Sequence, residues 1–153
     1  MLGKYFDEIE VGDRFLSPRR TVTEADIVLF TGLAGLQNPL FIDEEFAREK
    51  GLGTRVAPGP LTMAFAMGLT DELGYGTVAA ALGIDKARFS LPVKPGDTIR
   101  VETEVTDKRE STSRPDRGPI TLRHTIYNQR QEQVCVFERT LMFLKKSSAG
   151  SES

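Results

Sequence analysis

Between Pro60 and Gly74 the chain carries a stretch, Leu61-Thr62-Met63-Ala64-Phe65-Ala66-Met67-Gly68-Leu69-Thr70-Asp71-Glu72-Leu73, that is apolar on nearly every side until Thr70. A helix with one polar face can lie on a surface, whereas a helix without one has to be covered all round. Pro60 suits the first helical position, where an N–H has no partner to lose, and Gly74 is the expected stop. Everything else in the chain has to be arranged so that this helix is wrapped.

The wrapping is supplied downstream, where the period changes from helix to strand. In Thr98–Val105, Ile99, Val101 and Val105 are apolar while Arg100, Glu102 and Glu104 are charged, which is a strand with one buried face. Ile120, Leu122, His124 and Ile126 alternate with Thr121, Arg123, Thr125 and Tyr127, and Val134–Leu144 is apolar on both faces, as in a central strand. Turn signals separate them at Lys94-Pro95-Gly96-Asp97, Arg114–Gly118 and Asn128–Gln131. The economical packing is α+β, a curved antiparallel sheet wrapped round the helix, with a partner subunit covering what one sheet leaves open. The 153 residues suit a single domain over 1–146, and the small polar segment 147–153 is expected to be a disordered tail.

Upstream, Glu10-Val11-Gly12-Asp13 signals a turn into a strand-like run ending at Thr23. Thr23-Glu24-Ala25-Asp26 has the spacing of a capping box, and Ala25, Val28, Leu29 and Leu33 give the following helix its period. That helix should stop at Gly32 or Gly35. After Asn38-Pro39 a short acidic helix is expected from about Asp43 to Lys50, with Asp43 as N-cap and Glu44 and Glu45 complementing the dipole.

A net charge of −2 provides no basic field for nucleic acid or an anionic membrane. No apolar run approaches membrane-spanning length and Met1–Asp7 has no leader pattern, so a cytoplasmic protein is expected. One cysteine, Cys135, and one histidine, His124, leave no ligand set for a metal and no internal disulfide. Cys135 falls in a buried-strand pattern and reads as packing. His124 reads as a hydrogen-bonded core or interface residue.

Three pieces resemble the MaoC-like (R)-specific enoyl-CoA hydratase and dehydratase family of the hot-dog fold: Glu10–Phe15 with Thr23–Asp26, Gly35-Leu36-Gln37-Asn38-Pro39-Leu40-Phe41 against a family Gly-Asp-x-Asn-Pro-x-His, and Pro92–Thr98. The resemblance spans about Tyr5 to Leu144. It implies an acyl-CoA thioester as partner, no cofactor beyond the coenzyme A of the substrate, and a homodimer or a heterodimer with another hot-dog subunit. It places substrate contacts at Gly35, Leu36, Asn38, Phe41 and Gly59, with the Gly59 amide near the thioester carbonyl at the start of the apolar helix.

Hydrating an enoyl thioester needs a base for water, an acid for the alpha carbon and donors for the developing enolate. The resemblance puts the Asp and His of that chemistry at Leu36 and Phe41, neither of which can move a proton. Asp43 is the nearest carboxylate and the weak catalytic candidate; its alternative role is the helix cap. Arg55, Lys86, Arg88 and Lys94 are the cations that could meet coenzyme A phosphates. Three functions follow: a hydratase or dehydratase, a non-catalytic subunit shaping a partner's acyl pocket, or a thioesterase, which would want a carboxylate near Pro58-Gly59-Pro60.

Overall fold

The computed structural model describes residues 2–146, so the tail expected at 147–153 lies outside the described residues. The sheet runs β1 (Arg14–Leu16), β4 (Thr98–Lys108), β5 (Arg117–Tyr127), β6 (Gln133–Leu144), β3 (Val78–Phe89), and β2 (Arg20–Thr21) also pairs with β4. Every pairing is antiparallel. The period-2 pattern does what it predicts: Ile99, Val101 and Val105 on β4 and Ile120, Leu122 and Ile126 on β5 are all buried. The register sets Val101 against Ile126 and Val105 against Leu122, so apolar pairs stack on the inner face.

The upstream strand is shorter than the sequence pattern suggests. Pro18 lacks the N–H a ladder needs, and β1 and β2 are separate pieces on either side of it. Ser17 bridges the break by accepting the Val101 N–H on its Oγ at 2.8 Å.

Helix α1 (Glu24–Ala34) starts on the expected capping box: Thr23 Oγ1 accepts from Asp26 N–H and the Asp26 carboxylate accepts from Thr23 N–H. Its apolar spacing, however, does not mark a core face. Leu29 is 72% and Leu33 88% exposed, and the residues that turn inward are Ile27 and Thr31. Helix α2 (Pro39–Ile42) and helix α3 (Glu44–Glu49) follow.

Helix α4 (Gly59–Leu69) is the apolar helix, and it ends four residues earlier than expected. At Thr70 the hydroxyl turns back to Ala66 O at 2.8 Å, and the backbone N–H is shared between Ala66 O and Met67 O, both at 3.2 Å, so the last turn tightens towards 3₁₀ geometry. Asp71–Gly74 continue as a 3₁₀ turn. Leu61, Phe65 and Ala66 enter a core with Val101, Ile126 and Phe137. A second cluster, with Phe6, Val105, Leu122 and Phe143, fills the other end of the sheet. One stripe of α4, Pro60, Ala64 and Gly68, stays exposed, so a single chain does not cover the helix on every side. β3 is likewise a free edge, with Leu82 and Ile84 about half exposed.

Candidate active site

The segment between α1 and α3 is built by backbone capping. Gly35 ends α1 with φ +70°, a left-handed angle that glycine adopts without penalty, and its N–H closes on Thr31 O. The Leu36 N–H reaches the same carbonyl at 3.0 Å. Asn38 Oδ1 accepts the Leu40 N–H at 3.1 Å and so caps α2, with Pro39 at the first helical position. Asp43 Oδ1 accepts the Phe46 N–H at 3.0 Å, so this carboxylate caps α3. Leu36 and Phe41 are half-buried.

This segment is tied to the approach to α4. Leu40 O accepts from Val56 N–H at 3.3 Å. The Glu44 carboxylate accepts from Thr54 Oγ1 at 2.7 Å and from Arg55 N–H at 2.8 Å, and these bonds hold its pKa below the usual carboxylate value. The Arg55 guanidinium pairs with Glu24 and lies 3.8 Å from Glu44, so it is engaged within the protein. Lys86 lies 3.6 Å from Glu138, and Arg88 donates to its neighbour's carbonyl, Ala87 O, at 2.8 Å.

Gly59 is the first residue of α4, and Pro58 before it offers no side-chain cap. Leu61 and Thr62 N–H turn back to Pro58 O, Pro60 has no N–H, and the Gly59 N–H meets no acceptor among the described residues. An uncommitted donor at the positive end of a helix is suited to an anionic or polarised oxygen. Beside it lies a cavity of about 420 Å³ whose wall includes Gly59, Pro60, Thr62, Phe89, Leu91 and Val134 and carries no carboxylate. Leu36, Asn38 and Phe41 are not part of this wall. The glycine at 59 also has a packing cause, since a Cβ there would lie 2.7–3.1 Å from three carbons of the Phe89 ring. Phe89 is thirty residues away in sequence, so only the fold shows this.

Between the two core clusters runs a buried polar row that sequence reasoning met only as a single histidine. His124 is fully buried. Arg139 Nε donates to its Nε2 at 2.8 Å, and its Nδ1 lies 2.8 Å from Thr103 Oγ1. An arginine can only donate, so Nε2 is the acceptor and the ring proton sits on Nδ1, donated to Thr103. Burial, and then the charge of Arg139, push the imidazole pKa down to about 3, so it is neutral at pH 7. Cys135 is fully buried and its thiol is pushed up to about 11, which leaves no thiolate for nucleophilic work.

Residues 8–126 match the MaoC like domain. Protein MaoC of Klebsiella aerogenes is 45% identical over 108 residues, covering 71% of this chain and 32% of its own. An (R)-specific enoyl-CoA hydratase of Rhodospirillum rubrum is 32% identical over 102 residues, covering 67% of this chain and 69% of its own. Rv0216 of Mycobacterium tuberculosis, described as a double hotdog fold, superposes with a TM-score of 0.85 at 27% identity, covering 94% of this chain and 45% of that one. The chain thus spans about a third of the Klebsiella protein and under half of the mycobacterial one. The shared sheet and central helix, with a family match across most of the sequence, establish that this chain belongs to the MaoC-like dehydratase family of the hot-dog fold.

Proposed function

We propose that the protein binds acyl-CoA thioesters at the start of α4, with the Gly59 N–H receiving the thioester carbonyl, and that it brings no acid–base pair of its own. The observation that carries this reading is the unpartnered Gly59 donor beside an apolar-walled cavity. The same donor in a hydratase would hold the enolate oxygen, but proton transfer needs an ionisable side chain. Leu36 and Phe41 provide none, and the Asp43 carboxylate is already occupied as a cap.

A second hot-dog subunit or domain, carrying the missing Asp and His, completes the site in this account. The exposed stripe Pro60, Ala64 and Gly68 and the unpaired, half-apolar β3 edge favour that reading, since both are surfaces a second sheet and helix would cover. Calorimetric titration with butyryl-CoA and its thioether analogue S-butyl-CoA tests the carbonyl contact. Butyryl-CoA should bind about 5- to 10-fold more tightly, the worth of one net hydrogen bond. Equal affinity would remove the role of Gly59, and binding of neither ligand would remove the thioester reading itself.

A further inference from the structure

The inner face of the sheet is interrupted once. On three neighbouring strands an apolar run gives way to a polar residue: Thr103 between Val101 and Val105, His124 between Leu122 and Ile126, and Arg139 between Phe137 and Leu141. The row continues across the core to the end of α4, where an Arg139 Nη donates to Thr70 Oγ1 at 3.1 Å and that hydroxyl donates on to Ala66 O. Every partner in the row except the guanidinium is neutral.

A buried charge is normally paired, because desolvating it is expensive. Arg139 is half-buried and bonds no carboxylate: among the described residues its side-chain hydrogen bonds go to His124 and Thr70, burial lowers its pKa, and the charge of Asp71 partly offsets that. Of the five N–H donors of a guanidinium, two are used there and three are uncommitted. Arg139 lines a cavity of about 220 Å³ at the C-terminal end of α4, whose wall also includes Thr70, Leu73, Val78, Leu141 and Phe143. Asp71 also lines it and acts on Arg139 through charge alone, without a hydrogen bond. His124 fixes the Nε edge, so the fork is held in place before any ligand arrives.

We propose that this cavity is a carboxylate-binding site in which the uncommitted edge of Arg139 grips the carboxylate of a short aliphatic chain. A guanidinium fork matches a carboxylate bidentately, and the apolar walls suit a chain of a few carbons. The carboxylate can come from a free acid or from the far end of an acyl group carried on coenzyme A. The second source rests on the thioester reading above; the first does not.

The test is a set of titrations on the intact protein. Glutarate is titrated against 1,5-pentanediol, and S-(3-carboxypropyl)-CoA against S-butyl-CoA. A charge-assisted bidentate contact predicts that at least one carboxylate probe binds about 10-fold or more tightly than its uncharged counterpart. Glutarate binding identifies a free-acid site, and a preference seen only with the coenzyme A pair identifies the acyl group. In Arg139→Met the preference should fall to within about 2-fold, and in Asp71→Asn binding should tighten by removal of a like charge. If Arg139→Met does not fold, the ¹⁵Nε resonance of Arg139 in the unmodified protein gives the same answer, shifting with the preferred carboxylate probe and not with its uncharged counterpart. The proposal is overturned if neither carboxylate probe is preferred, if the preference survives Arg139→Met, or if Asp71→Asn abolishes binding. Glutarate binding without any binding of butyryl-CoA or of either coenzyme A thioether would sink the thioester reading while leaving this site intact.

Discussion

Acid should destabilise this protein through one residue. His124 is neutral and fully buried, its pKa pushed down from 6.5 to about 3, whereas in the unfolded chain it titrates near 6.5. Between those values the unfolded state binds a proton that the folded state refuses, so stability is complete above about pH 6.5 and falls as pH drops towards 3. Each pH unit in that window removes about 1.4 kcal/mol, or about 2 kcal/mol between pH 7 and pH 5. Across the whole window the loss is on the order of 5 kcal/mol, comparable to the entire stability of many domains. Carboxylates with lowered pKa values, such as Asp26 and Glu44, contribute mainly below about pH 5, so pH 5–7 isolates the histidine. The assay is urea unfolding at pH 7 and pH 5 on the unmodified protein and on His124→Gln, whose amide oxygen can still accept from Arg139. The variant should be less stable at pH 7 yet lose little between the two pH values. Equal losses in both proteins would refute the reasoning. So would a ring-proton midpoint near 6.5, and since the chain has one histidine, that NMR signal is unambiguous.

Four further outcomes follow from the geometry. Gly59→Ala should lower stability by about 1–3 kcal/mol in thermal unfolding, because the new methyl meets the Phe89 ring, and adding Phe89→Ala should recover part of that loss. Asp43→Asn should keep the α3 cap and leave stability within about 0.5 kcal/mol, so any change in turnover it causes would come from the lost carboxylate. Ala64→Arg on the exposed stripe of α4 should shift the protein towards monomer in light scattering, and an unchanged mass would show that this stripe is not the covered face. On the family resemblance, although neither residue lines the Gly59 cavity, Leu36→Asp with Phe41→His should raise crotonyl-CoA hydration by about 10²-fold or more, measured as loss of the enoyl absorbance.

The strands of the sheet were readable because their signal is local. Ile99, Val101, Ile120, Leu122 and Ile126 alternate with polar residues, and all are buried. Capping was equally local, with Thr23, Asn38 and Asp43 each bonding an N–H two or three residues on. The outward face of α1 was not readable. An apolar stripe marks a surface to be covered, but periodicity does not distinguish this chain's core from a partner's, and Leu29 and Leu33 face out. The polar row was hidden for a different reason. Thr70, Thr103, His124 and Arg139 are spread over 69 residues, and each alone is an ordinary residue at a strand or helix position. The packing cause of Gly59 was hidden in the same way, since it depends on Phe89 reaching back from β3. For the candidate site, the capping turns of Gly35 and Asn38 were legible in the sequence, while the unpartnered Gly59 N–H is seen only in the fold.

We propose that this chain keeps a thioester site of the MaoC-like family without its proton carriers. The most direct test is the steady-state hydration rate of the purified protein alone on crotonyl-CoA, beside the Rhodospirillum rubrum (R)-specific enoyl-CoA hydratase under the same conditions. Loss of a positioned acid and base predicts turnover at least about 100-fold slower than that enzyme. Turnover within about tenfold of it would contradict the account and require that another group of this chain moves the proton.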